Sequence, residues 1–193
     1  MIQRDEIEAK ALEFGIHVAN VQRDYVFGWF LVGLYAKSAL RESLILKGGN
    51  CFRKAYFPNT RFSADLDFST ESSVDESVVV SEFNSVCRFV QARTKIPFDL
   101  ERSQIRVQNQ IDEKRRVFDI RVYFQDFYGN SDHIWIRLSI DITEFDRIYL
   151  PIQSRNLIHP YSDATECAGS LRCLKLEEMI ANKLKWVFRE KCG

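Results

Sequence analysis

Two aspartates one residue apart, Asp65 and Asp67, close the stretch LILKGGNCFRKAYFPNTRFSADLDF, residues 44–68, a loop downstream of the adjacent glycines Gly48 and Gly49. Ala64, Leu66 and Phe68 alternate with Asp65, Asp67 and Ser69, which predicts a strand with one apolar and one polar face. On such a strand both carboxylates leave from the same side, and two like charges this close need a compensating cation. A divalent ion is the simplest one. Mg²⁺ takes oxygen ligands and commonly combines one or two carboxylates with substrate phosphates, so Asp65 and Asp67 point to Mg²⁺ or Mn²⁺ and a phosphate-bearing substrate.

Gly48 and Gly49 follow a predicted strand, can adopt positive φ, and let backbone N–H groups approach an anion, above all where a helix starts next. Lys47, Asn50, Arg53 and Lys54 add cationic and polar groups beside them, and Arg61 and Ser63 end the loop before the aspartates. Neither G-x-x-x-x-G-K-[ST] nor G-x-G-x-x-G occurs, so this is neither a P-loop nor a dinucleotide fingerprint. Near the C-terminus Lys183 falls within the apolar stripe Leu176, Met179, Ile180, Leu184 and Val187, where a cation needs a partner; Lys175 and Lys185 lie outside it. The alternative for Lys183 is a methylene stem that carries its charge out to water. Asp141, in the strand pattern HIWIRLSIDIT, is either a third carboxylate, able to activate a hydroxyl, or a strand-end charge.

The elements that must position these groups can be read from periodicity. Residues 5–41 carry helical spacing with interruptions near Gly15 and Asn20, predicting two helices that lead into a strand at 43–47. Residues 75–95 suit a helix with Val79, Phe83, Val86 and Val90 on one stripe, closed by Pro97. Three strands follow at about 99–109, 116–124 and 133–143, the last two a hairpin about Gly129 and Asn130. Residues 149–169 show few periodic signals, and a final helix spans about 174–190. The expected organisation is N-terminal helices (1–42), a mixed-sheet domain (43–170) and a C-terminal helix (171–193), an α+β (α/β) fold with flanking helices.

Bulk properties narrow the choice of function. The 193 residues carry 27 basic and 27 acidic side chains, so no global field attracts nucleic acid or an anionic membrane and a polyanion needs a local patch. Candidates for one are Arg102, Arg106, Lys114, Arg115, Arg116 and Arg121, which read equally as solvated charges on a hairpin. The apolar run at 25–36 is too short to cross a bilayer, and the charged N-terminus MIQRDEIEAKA is no secretory signal. Five scattered cysteines without a C-x-x-C pair fit a reducing compartment, and His17, His133 and His159 lack zinc-ligand spacing. A cytoplasmic location without membrane attachment is expected.

Lys47 to Phe68, with IRLSIDIT and LKLEEMIANKLKWVFRE, resembles the AbiEii/AbiGii-type nucleotidyltransferase toxins, a branch of the DNA polymerase beta-like nucleotidyltransferase superfamily. The resemblance implies a mixed-sheet nucleotidyltransferase fold and a nucleoside triphosphate held with Mg²⁺ by Asp65 and Asp67. It implies that Lys183 contacts the nucleotide and that Asp141 is the third metal-side carboxylate. It further implies transfer of a nucleoside monophosphate to the 3′ end of tRNA or other RNA, a phage-defence toxin role and a cognate antitoxin. Lys47, Gly48, Gly49, Asn50, Arg53, Arg61 and Ser63 are the expected nucleotide-binding set. The family usually continues into an R-D-x-x-D segment, so the C-terminal helical part is expected to be incomplete at Gly193. Two alternatives remain at this level: a metal-dependent glycosyltransferase using its D-x-D, or a catalytically inactive nucleotide-binding or interaction module.

Overall fold

The computed structural model describes residues 2–109, 116–129 and 133–190. Two helices open the chain, α1 (Arg4–Phe14) and α2 (Val18–Lys37). Gly15 ends α1 at φ 62°, and the His17 side chain accepts a hydrogen bond from the Ala19 N–H to start α2. The apolar run of the sequence is buried along α2 from Tyr25 to Leu34, a core helix as its length suggested. No helix among the described residues is long and apolar enough to cross a membrane.

β1 (Ile45–Lys47) turns at Gly48 directly into a short helix, α3 (Gly48–Cys51), and one π-helical turn, Phe52–Tyr56. The chain continues through β2 (Asp65–Ser69), α4 (Glu76–Thr94), β3 (Phe98–Asn109), β4 (Arg116–Gln125), β5 (Trp135–Thr143), β6 (Gln153–Asn156), β7 (Ser170–Cys173) and α5 (Leu176–Glu190). Asp75 caps α4 by accepting from the Ser77 and Val78 N–H groups, and Val79, Phe83, Val86 and Val90 bury the stripe read from the sequence.

The seven strands form one mixed sheet in the order β3-β4-β5-β2-β1-β7-β6. β2 is central: it runs parallel to β5 and antiparallel to β1. Strict alternation sends Leu66, Phe68, Ile120, Val122, Leu138 and Ile140 into the core, where α2 and α4 pack against each other and on the sheet. Each such side chain contributes on the order of 1.5–3 kcal/mol when fully buried. The register is therefore fixed, because a slip of one residue would drive the β2 aspartates into this apolar layer.

Sequence and structure differ at β6 and β7. β6 (QSRN) is a short polar edge strand with no apolar alternation, and β7 alternates Leu171 and Cys173 inward with Ser170 and Arg172 outward over only four residues, too short a run to stand out in the sequence. β1 is also shorter than its apolar run, since Ala39–Glu42 winds into a 3₁₀ turn that Ser43 ends. Of the sequence readings, Lys114, Arg115, Asn130 and residues 191–193 lie outside the described residues.

Candidate active site

The sheet register assembles a row of charge across five strands. Lys47 on β1 pairs with Asp67 on β2, Asp67 with Asp141 on β5, Asp141 with Asp119 on β4, and Asp119 with Arg106 on β3. Paired residues share a face, so these side chains project together from the side opposite the apolar core. The next row on that face holds Asp65, Ser139, Arg121 and Gln104. Asp67 and Asp141, far apart in sequence, thus become direct neighbours, with Asp65 one row away.

Charge crowding is visible in the protonation equilibria. Burial, reinforced by Asp141 and Asp65, pushes the Asp67 carboxyl up to about 6 against the opposing pull of Lys47 and Lys183. Burial, then Asp119 and Asp65, raises Asp141 as well. Lys47 answers only part of this charge, because its ammonium pairs with Asp146 at 2.7 Å and donates to the Thr143 hydroxyl at 3.2 Å.

The glycine pair is explained by close approach. Gly48 has φ 71°, and a Cβ there would collide with the Asp67 carboxylate; at Gly49 it would collide with the Ser63 side chain. The Asn50 amide donates to the carbonyls of Asp65 (2.6 Å) and Ser63 (3.4 Å), which clamps the start of β2 to α3. Beside Asp67, a cleft of about 210 Å³ is lined by Lys47, Gly48, Phe52, Met179, Asn182 and Lys183. A turn that opens a helix, crowded carboxylates and a lysine beside one cleft can hold a polyphosphate and a divalent ion.

The family model described as nucleotidyl transferase AbiEii toxin, type IV TA system, matches residues 29–191. The chain belongs to the AbiEii family. Among solved structures it is similar to MenT4, a nucleotidyltransferase toxin from Mycobacterium tuberculosis H37Rv, at 21% identity and a TM-score of 0.58, over 95% of this chain and 58% of that one. At that identity the likeness concerns the fold, a nucleotidyltransferase fold, and the chain spans a little over half the length of MenT4. A search of curated proteins returns no match.

Several expected site residues of this AbiEii-family chain meet at the cleft: Lys47, Gly48, Asp67 and Lys183, with Asp65 and Asp141 beside Asp67 on the sheet. Lys183 arrives there for a different reason than its apolar stripe suggested. It is exposed, as are Ile180 (45%) and Leu184 (50%), while Met179 anchors the helix in the core. Asn50 and Arg53 are not brought to the cleft. Asn50 is buried as the clamp just described. Arg53 is 1% exposed, paired through Nε with Asp24 at 2.8 Å, and donates to the carbonyls of Pro58 and Thr60. Its charge is used to build the loop. Arg61 and Ser63 line a separate cavity at the other end of the aspartate pair.

The basic patch read from the sequence also divides. Arg106 and Arg121 stand on the carboxylate face of the sheet, with Arg121 paired to Asp119 at 2.9 Å, and Arg102 stacks over Tyr123 on the same strands. Arg116 is instead held by the buried Glu144 and the Val74 carbonyl. Asp119 and Asp146 are the acidic residues of this neighbourhood that the sequence reading passed over. Asp119 was within reach of it, since a hairpin closing about Gly129 sets it opposite Asp141. Asp146 follows β5 without a motif of its own.

Nucleotidyltransferases generally use divalent metal ions, and the donor set here suits one in part. Among the described residues no group of three or more His, Cys, Asp or Glu closes a metal site on its own. The carboxylates of Asp65, Asp67 and Asp141 nevertheless share one face, and burial, with mutual repulsion added to it, raises Asp67 and Asp141. A hard cation relieves that repulsion, and phosphate oxygens would have to complete its coordination.

Proposed function

We propose that the chain transfers a nucleoside monophosphate from a nucleoside triphosphate to a hydroxyl acceptor, the 3′ end of tRNA or another RNA, as the toxin of a type IV toxin–antitoxin pair with a cognate antitoxin as its partner. The observation that carries this reading is Asp67, a carboxylate raised to about 6, packed against the Gly48 turn and facing Lys183 across the cleft.

In this reading the triphosphate lies in the cleft with its β- and γ-phosphates on the N–H groups that follow Gly48, where α3 begins. Lys183, on an exposed helix face, neutralises charge that builds on the departing pyrophosphate. A Mg²⁺ or Mn²⁺ ion held by Asp65, Asp67 and Asp141 would supply charge neutralisation at the phosphates. The acceptor oxygen forms a bond to the α-phosphorus, the bond from that phosphorus to the β-bridging oxygen breaks, and pyrophosphate leaves with the electron pair. Asp141, opposite Asp67 in the sheet, takes the hydroxyl proton. Lys47, held by Asp146 and Thr143, keeps a positive charge beside Asp67 before substrate arrives.

Calorimetric titration with each nucleoside triphosphate, with and without Mg²⁺, tests the reading. Magnesium-dependent binding by the native chain and its loss in Asp65→Asn/Asp67→Asn is the expected result. A folded native chain that binds no triphosphate would remove it. The family match favours nucleotidyl over glycosyl transfer, and turnover of bound triphosphate with an RNA acceptor separates an enzyme from an inactive binding module.

A further inference from the structure

The Lys183 cleft reaches only the Asp67 end of the aspartate pair. At the Asp65 end a second cavity of about 360 Å³ opens between the α1–α2 corner and the loop before β2, bordered by Asn20, Arg23, Arg61, Phe62 and Ser63. Its size suits a single nucleotide unit rather than an extended peptide or a lone ion.

The cavity wall is built and cationic. Arg23 Nη1 donates to Asn20 Oδ1 at 2.7 Å and its Nε to the Arg137 carbonyl at 2.9 Å, so the guanidinium is held in place. Burial and neighbouring Arg137 disfavour the charge of Arg23, and Asp65 favours it, which puts this group within electrostatic reach of the site carboxylates. Arg61 stands exposed at the rim. The Phe62 ring is held by the Arg53 guanidinium at 3.7 Å from its centroid and by an edge contact at 5.1 Å with Phe14, which borders the same cavity. Crowded guanidinium groups beside an aromatic face are the recurring means of holding a phosphate and stacking a base.

We propose that this cavity receives the 3′-terminal nucleotide of a single-stranded RNA acceptor, with Arg23 and Arg61 on its phosphate and Phe62 against its base. The inference rests on the transferase reading and adds direction to it. In-line displacement needs the attacking oxygen and the leaving pyrophosphate on opposite sides of the α-phosphorus. With the triphosphate at the Asp67 end, the attacking hydroxyl enters from the Ser63–Asp65 end, where the cavity opens. Arg61 thereby passes from the donor nucleotide to the acceptor. Preceding nucleotides then continue along the open sheet face past Arg137 to Tyr123, whose ring already carries the Arg102 guanidinium at 4.4 Å.

The test uses the full chain, a fluorescein-labelled eight-nucleotide RNA with a free 3′-hydroxyl, and Arg61→Ala, a rim substitution expected to leave the fold intact. Fluorescence anisotropy should show RNA affinity falling about tenfold or more in Arg61→Ala, while calorimetry shows triphosphate affinity unchanged. In transfer assays the KM for RNA should rise with the triphosphate KM unmoved. An Arg61→Ala chain that binds RNA as the native chain does, or that loses triphosphate affinity in step with RNA, overturns the proposal. A native chain that binds triphosphate but transfers only to a protein hydroxyl overturns it as well. Absence of triphosphate binding by the native chain would instead strike the transferase reading itself, and the proposal with it.

Discussion

Asp67 holds its charge at a cost that the free protein pays and a bound cation would remove. Its folded pKa of about 6 lies above the ordinary 3.8, so the native state binds the extra proton between those values. The stabilising contribution of protonation is complete below about 3.8 and is lost as pH rises through about 6. Asp67→Asn should therefore stabilise the metal-free protein by roughly 1–3 kcal/mol at pH 8, with the gain vanishing near pH 4, read from urea midpoints at both pH values. The same substitution should abolish magnesium-dependent triphosphate binding. In the native chain that binding should weaken as pH falls through about 6, because a protonated Asp67 no longer offers two anionic oxygens; pH-independent affinity between 5 and 8 would contradict it. Gly48→Ala should fail at both tasks: an alanine at φ 71° costs about 1–2 kcal/mol, and its Cβ meets the Asp67 carboxylate. A lowered urea midpoint together with lost triphosphate binding is the expected pair of results.

At the level of elements, the turn that carries Gly48 is held through the π-helical turn behind it. Lys54 donates to both the carboxylate and the carbonyl of Asp24 at 2.9 Å, Arg53 takes the other carboxylate oxygen, and Tyr161 donates its hydroxyl to Asp24 at 2.7 Å. All four side chains are buried. Burial alone would raise Asp24, but Lys54 and Arg53 outweigh it and hold the carboxylate below its ordinary range. This network ties α2, the π turn and the segment before β7 into one unit. Asp24→Asn strands two buried cations and should destabilise the fold by about 3–5 kcal/mol, measured by chemical denaturation; a change under 1 kcal/mol would mean the pairing is not made. α5 contrasts with it. Lys183→Ala on that exposed face should leave the denaturation midpoint within about 0.5 kcal/mol and reduce triphosphate affinity.

For the whole molecule, donor binding and folding are linked because β1, β2, β5 and α5 each contribute to the site. A ligand that binds only the folded chain stabilises it by about 2.7 kcal/mol at a hundred times its dissociation constant. Thermal melts should therefore rise with triphosphate and Mg²⁺ together, and stay level with triphosphate alone or with the Asp65→Asn/Asp67→Asn chain. A rise that persists in the double variant would move the nucleotide away from the sheet row.

Local sequence patterns were enough to place the strand that carries Asp65 and Asp67, the glycine turn before it, the continuous apolar run of α2 and the apolar stripe of α4. Each of those is a local pattern, enforced by a period of two or of 3.6 residues or by a backbone angle that only glycine adopts freely. The β4–β5 hairpin was legible for the same reason, whereas β6 and β7 were not, since β6 is a polar edge strand and the alternation of β7 lasts only four residues. Which charges face one another follows from the assembled sheet alone. The tertiary structure sent Arg53 inward to Asp24 although the sequence places it four residues after Gly49, and it brought Asp119, Asp141 and Lys183 to the aspartates from three distant segments. Charge pairing across strands depends on register, and register is set by how the apolar faces of the whole sheet pack on α2 and α4, a property that no single stretch of the chain contains.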